Sequence, residues 1–146
     1  MKTNGNTPLI IDANNAIAGK IAVLAAKTAL EGNTVKIINS EKAIMTGDSE
    51  FIVKRYYNKR LQKNKANPEE SFKLPRRPDL FLKKIIKGML PKHNKKGSDA
   101  EKRITCYYGN PENLTAQPFK YTGETVKNNT ITIEKICLAL GWKNNA

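Results

Sequence analysis

The residues of this 146-residue chain that could do chemistry fall into three groups, and two of them fail on spacing. Gly19-Lys20 follows an apolar run and stands near a helix start, where a phosphate-binding loop keeps its glycine and lysine. That loop needs a glycine five residues before its Gly-Lys pair, so that backbone N–H groups can cradle phosphate, and a Ser or Thr hydroxyl after the lysine. The chain has Asn14 and Ile21 there. Cys106 and Cys137 are too far apart for a CxxC pair, and His93, the only histidine, sits among Lys92, Lys95 and Lys96, so no metal-ligand pattern forms. A nucleophilic triad needs a histidine oriented by an acid beside a Ser or Cys, and nothing around His93 supplies one. The expectation is no enzyme, no cofactor, no metal and no small-molecule substrate.

The third group is the cations. Between Phe51 and Arg103 there are 17 Lys or Arg and 5 Asp or Glu, and the rest of the chain is nearly balanced, so this third of the sequence carries almost all of the net charge of +13. Surface helices usually mix signs for i, i+4 pairing, whereas 49–61 and 79–90 are almost purely positive. Such a concentration is built to meet a polyanion. A membrane surface would ask for exposed Trp, Phe or Leu opposite the lysines, but the apolar stripes here have the spacing of core faces and the one Trp lies at position 142. Nucleic acid is the better match. Tyr56, Tyr57, Phe72 and Tyr107-Tyr108 have two readings, stacking on bases or packing in the core, and core packing is favoured for the tyrosines.

The elements that must position these charges can be read from period and punctuation. Leu9 to Asp12 has the pattern of a buried strand. Asn14 or Asn15 would cap a helix from Ile17 to Leu30, with Ile17, Ile21, Leu24 and Thr28 on one stripe, Ala18, Ala22, Ala25 and Ala29 on a thin neighbouring face, and Gly32-Asn33 at its end. Val35 to Asn39 is a second strand, which makes a βαβ unit and implies a parallel sheet. After the short apolar piece Ala43 to Met45, Asp48 would cap a helix from Ser49 to Leu61. Gln62 to Pro78 is polar and carries three prolines. Gln62 to Leu74 is expected to be disordered or mobile without RNA, and Pro75 and Pro78 to hold Arg76 and Arg77 in an extended, stiff segment. A helix begins at Asp79, with Leu82, Ile85, Ile86 and Met89 inward and Lys83, Lys84 and Lys87 outward, and ends between Gly88 and Pro91. Arg103 to Tyr108 is read as the last strand. A weakly patterned stretch leads to a terminal helix, Ile131 to Leu140, capped by Thr130 and stopped by Gly141.

The length of 146 residues suits one domain of ordinary size, while the hydrophobic fraction of 39% is toward the low end, so part of the chain is expected to lack a core of its own. No apolar run is long enough to span a bilayer, and Met1 to Pro8 lacks the apolar core of a signal peptide, which makes the cytoplasm the default. In that compartment the two cysteines are expected as free, buried thiols.

Five blocks in series resemble the universal large-subunit ribosomal protein number thirteen family, most closely its archaeal type. They are Ile10-Ile11-Asp12-Ala13 with Ala18-Gly19-Lys20-Ile21-Ala22; Ile37-Ile38-Asn39-Ser40-Glu41-Lys42-Ala43 with Thr46-Gly47; Pro75-Arg76-Arg77-Pro78-Asp79; Lys87-Gly88-Met89-Leu90-Pro91; and Tyr107-Tyr108-Gly109. The family commonly has arginine where this chain has Lys20, so a planar, bidentate phosphate contact is lost there. The resemblance implies a three-layer α/β/α fold around a small, mostly parallel four-stranded sheet, with a basic extended loop and helix. It implies one ribosomal-protein domain over 1–146, its RNA-facing segment at 51–103 and an archaeal-type extension at about 112–146. It further implies a structural constituent of the large subunit that binds rRNA and neighbouring ribosomal proteins during assembly, in the cytoplasm and not as a homo-oligomer. Arg76 and Arg77 are then expected as bidentate phosphate ligands, with Lys83, Lys84, Lys87, Lys92, Lys95 and Lys96 as point charges. Lys54, Arg55, Lys59 and Arg60 would extend the surface, together with Lys20, Lys63 and Arg103, while Gly88, Met89, Leu90 and Pro91 set backbone shape. The alternatives are a free RNA-binding regulator of messenger RNA and a phosphate-handling enzyme of the βαβ crevice.

Overall fold

The computed structural model describes residues 8–143; Met1–Thr7, which hold nearly all of the polar leader, and Asn144–Ala146 lie outside the described residues. Strand β1 (Leu9–Asp12), helix α1 (Ala18–Leu30) and strand β2 (Val35–Ile38) form the expected βαβ unit, with Leu9 opposite Val35 and Ile11 opposite Ile37 in parallel. The expected asparagine cap is not made. Asn14 and Asn15 form a turn instead, in which Asp12 Oδ1 accepts from the Asn14 N–H at 2.9 Å and Asn15 takes a left-handed φ of 53°, a conformation asparagine tolerates. Ile17 stands at the helix start with no side-chain cap.

The buried side of α1 is the thin face, Ala18, Ala22, Ala25, Ala26 and Ala29 with Ile21, while Leu24 of the expected stripe is exposed. Alanine wins here because other helices lie directly on α1, and methyl-sized side chains let backbones approach closely. Its end has paired bonds, Gly32 N–H to Ala29 O and Asn33 N–H to Thr28 O, which need the positive φ of Gly32.

Beyond a 3-10 turn at Ser40–Lys42 come β3 (Ile44–Thr46), α2 (Ser49–Leu61), the proline-bearing excursion, α3 (Pro78–Gly88), α4 (Lys95–Lys102) and β4 (Ile104–Cys106). β4 pairs in parallel with β2, and β5 (Gln117–Pro118) pairs in parallel with β1, giving the four-stranded order β4-β2-β1-β5. The crossovers β1 to β2 and β2 to β4 step the same way across the sheet, so right-handed connections set their helices on one face. Accordingly α1 packs on both α3 and α4. The architecture is α/β with a small parallel sheet, compatible with the three-layer arrangement.

The later chain departs from expectation. β4 is not the last strand, because β5 follows it, as does β6 (Thr130–Thr132), antiparallel to β3 with Ile44 opposite Thr132. Strands of two and three residues are too short to show a period. With Thr130 used in β6, helix α5 (Ile133–Ala139) starts later than expected, and Thr132 Oγ1 accepts from the Lys135 N–H as its cap. α5 buries Ile133, Ile136 and Cys137 and packs on α3. The core thus runs from Ile11, Val35 and Ile37 through Phe81, Leu82 and Ile86 to Ile133 and Ile136. Both cysteines are free, Cys137 buried and Cys106 half-buried, and burial pushes each thiol up to about 12.

Candidate nucleic-acid interface

Helix α2 shows why the basic segment is a surface. Asp48 caps it as expected, accepting from the Phe51 N–H at 3.2 Å, and among its residues only Ile52 is buried. Lys54 and Arg55 are exposed; Lys59 and Arg60 are half-buried on the side nearer α3. Tyr56 is anchored edge-on to Phe81 of α3, ring centres 4.9 Å apart, and burial raises its phenol. That places Tyr56 on the core side of its two readings.

The excursion from Gln62 to Leu74 is pinned by side chains at both ends. Arg60 Nη1 donates to Leu74 O at 2.7 Å, and Ser71 Oγ accepts from the Asn64 N–H at 2.9 Å. Pro68–Glu70 adds a single 3-10 turn. Arg60 thereby spends one arm of its guanidinium on the fold. Lys63 and Lys73 stay exposed beside it.

Arg76 and Arg77 differ. Arg76 is exposed and lies at the end of α5, its guanidinium 3.9 Å from where a Cβ on Gly141 would stand. Arg77 precedes Pro78, which is the first residue of α3 and replaces Asp79 as its start. Its Nε and Nη2 grip both oxygens of Asp79 at 3.2 and 2.8 Å. A guanidinium fork already closed on a carboxylate cannot offer those same two donors to a phosphate, which leaves only the other N–H groups of Arg77 open.

On α3, Leu82 and Ile86 of the expected stripe are buried, Ile85 is half-buried and Met89 exposed, and Phe81 turns inward in addition. The lysines divide. Lys83 is half-buried and its charge acts on Cys106, Lys84 lies 5.2 Å from the Phe72 ring centre, and Lys87 pairs with Glu101 at 2.9 Å. Gly88 ends α3, Leu90 is buried, and Pro91 leads into a turn where His93 is left-handed at φ 58°. Asn94 Oδ1 then accepts from the Lys96 N–H and opens α4, a helix the sequence reading passed over. Gly97 and Ser98 argue against it locally. Packing decides otherwise: a Cβ on Gly97 would lie 2.0 Å from Pro91 O, so only glycine lets the turn close on the helix. Lys92, Lys95 and Lys96 are exposed.

The fold gathers part of this set around one groove of about 870 Å³. Tyr56 and Phe72 form its aromatic wall, backed by the buried Phe81, and Lys59, Lys84, Lys87, Lys92 and Lys95 surround it. Lys20 is not there; it sits at the start of α1, 5.6 Å from the Tyr121 ring centre. Arg103 is half-buried and donates from Nη1 to Ala29 O at 3.3 Å, so its near arm caps the end of α1. Phe72 is one of the aromatics with two readings, stacking on bases or packing in the core, whereas Glu101 was not expected here and had no signal in the sequence.

An open, lysine-ringed groove with an aromatic wall defines a small α/β protein suited to bind a polyanion. Comparison with known proteins then specifies the class: residues 6–113 match the family model described as Ribosomal protein L13. The large ribosomal subunit protein uL13 of Methanocaldococcus jannaschii is 40% identical over 135 residues, 92% of this chain and 98% of that protein. Those of Aeropyrum pernix, 30% identical over 92% of this chain and 90% of its own length, and Haloarcula marismortui, 39% over 70% and 68%, are similar as well. The chain belongs to the L13 family of ribosomal proteins, archaeal type.

Proposed function

We propose that this chain is a structural constituent of the large ribosomal subunit that binds large-subunit rRNA, steadies it during assembly and so acts in translation in the cytoplasm. The observation that carries the reading is the convergence of five lysines from α2, α3, the 89–94 turn and α4 on one groove. Lysines placed so neutralise phosphates and displace counterions, and this gives affinity that falls with salt. Other exposed cations, among them Lys54, Arg55, Lys63, Arg76 and Lys96, would add contacts to the RNA backbone, which is read largely by shape, phosphate and 2′-hydroxyl. Neighbouring ribosomal proteins are the second class of partner. Family membership supports both, since its relatives are named as large-subunit proteins. The core shared by β1 through α5 supports treating 1–146 as one domain. Binding of purified protein to protein-free large-subunit rRNA across a salt series tests the reading. Replacing Lys92, Lys95 and Lys96 together with Ala should reduce the log–log salt slope by about 2 to 3, and an unchanged slope in the folded triple variant would remove them from the interface.

A further inference from the structure

The groove holds more than charge, and we infer that it takes one unpaired nucleotide, its base stacked on Phe72 and its phosphates on the surrounding lysines. This rests on the RNA-binding reading above and adds to it a single-stranded contact. Phe72 is 43% exposed although it is one of the chain's four phenylalanines, and the loop that carries it is tied at Asn64–Ser71 and Arg60–Leu74. The ring thus stands beside the groove, between these two tethered points. The ammonium groups of Lys84 and Lys59 lie over the ring, 5.2 and 6.0 Å from its centre, so a base stacking on an occupied face would displace an ammonium group from the ring toward its own phosphate.

Two other occupants fit less well. A paired RNA helix presents its backbone and a shallow groove to a protein and keeps its bases stacked inside, so it cannot fill a concave site of about 870 Å³. An apolar peptide would cover the lysines without giving them partners, and burying an unpaired charge is costly. The one acid in the lining, Glu101, is already paired with Lys87. A nucleotide satisfies both halves: its base offers a π-face to the ring and its phosphates offer acceptors to the ammonium groups. Stacking of this kind is tolerant of base identity, so no sequence preference is expected.

The test uses the full chain and a six-residue single-stranded RNA carrying 2-aminopurine at its centre, with an RNA duplex of equal charge as control. Stacking should quench the 2-aminopurine emission, and Phe72→Leu, which keeps apolar bulk and loses the ring, should weaken the single strand by roughly five- to hundredfold. Duplex affinity and circular dichroism should be unmoved, and Phe72→Tyr should restore the quench. Unquenched emission with the wild-type chain, or equal affinity in Phe72→Leu, overturns the groove assignment while leaving rRNA binding in place. Failure to bind rRNA or duplex at all would instead sink the reading beneath it. In assembled subunits, a photocrosslinker at position 72 should join RNA; joining a protein chain would overturn the nucleotide and make the groove a protein-docking site.

Discussion

At the scale of single residues, equal charges have unequal employment. Arg77 and Arg76 are adjacent, yet Arg77 is clamped to Asp79 and Arg76 stands free of any ion pair among the described residues. Arg77→Ala should therefore lower stability by about 1 kcal/mol, since the pair is half in solvent, and urea denaturation would show it. Arg76→Ala should leave stability within about 0.5 kcal/mol and weaken rRNA binding; the opposite assignment of effects would reject the distinction. Cys137 gives a pH prediction. Its buried thiol is held up to about 12, above the range of a thiol in the unfolded chain. Between those values the unfolded chain loses the proton while the folded chain keeps it, so stability should fall as pH rises from about 9 toward 12. Cys106, pushed up to about 12 as well, adds to the same limb. Cys137→Ala should therefore make it shallower and Cys106→Ala with Cys137→Ala shallower still, and a thiol reagent at pH 8 should find Cys137 only after unfolding. Which residues are cationic was legible in the sequence. Which of them face carbonyls or carboxylates was not, because the partners of Arg60, Arg103 and Lys87 lie 14, 74 and 14 positions away.

At the scale of elements, the sequence told most where local preference and tertiary packing agree. β1, β2 and α2 lie where their apolar runs and the Asp48 cap placed them, and Gly32 and Gly141 close their helices. α4, β5 and β6 carry little signal of their own, the strands because they are too short to show a period and α4 because a contact outside the helix outweighs its propensity. α4 depends on the approach of Gly97 to Pro91, and β6 exists because β3 offers an edge. Gly97→Ala tests the first. Its methyl would meet a backbone oxygen at 2.0 Å, and overpacking of this sort costs about 1–3 kcal/mol, where an exposed helical glycine changed to alanine would gain about 1. A denaturation midpoint that rises in Gly97→Ala would show that the 89–94 turn is not held as described. Lys92 and Lys95, which flank that turn, should lose part of their RNA contribution in the same variant.

At the scale of the whole molecule, a parallel sheet and its helices form the base on which α2, the 62–77 excursion, α3 and α4 display their cations. This layout explains how a segment with 12 excess positive charges can still fold: Phe81, Leu82 and Ile86 are buried while the lysines look outward or onto aromatic rings. In the function proposed above, this display is made for the large ribosomal subunit. The most direct measurement is sedimentation of a cell lysate on sucrose gradients after washes of rising salt, following this chain by immunoblot. It should travel with the large subunit through moderate salt and be released at high salt, earlier when Lys92, Lys95 and Lys96 are replaced. Finding the wild-type chain free, or on messenger RNA away from subunits, at every salt would contradict the account.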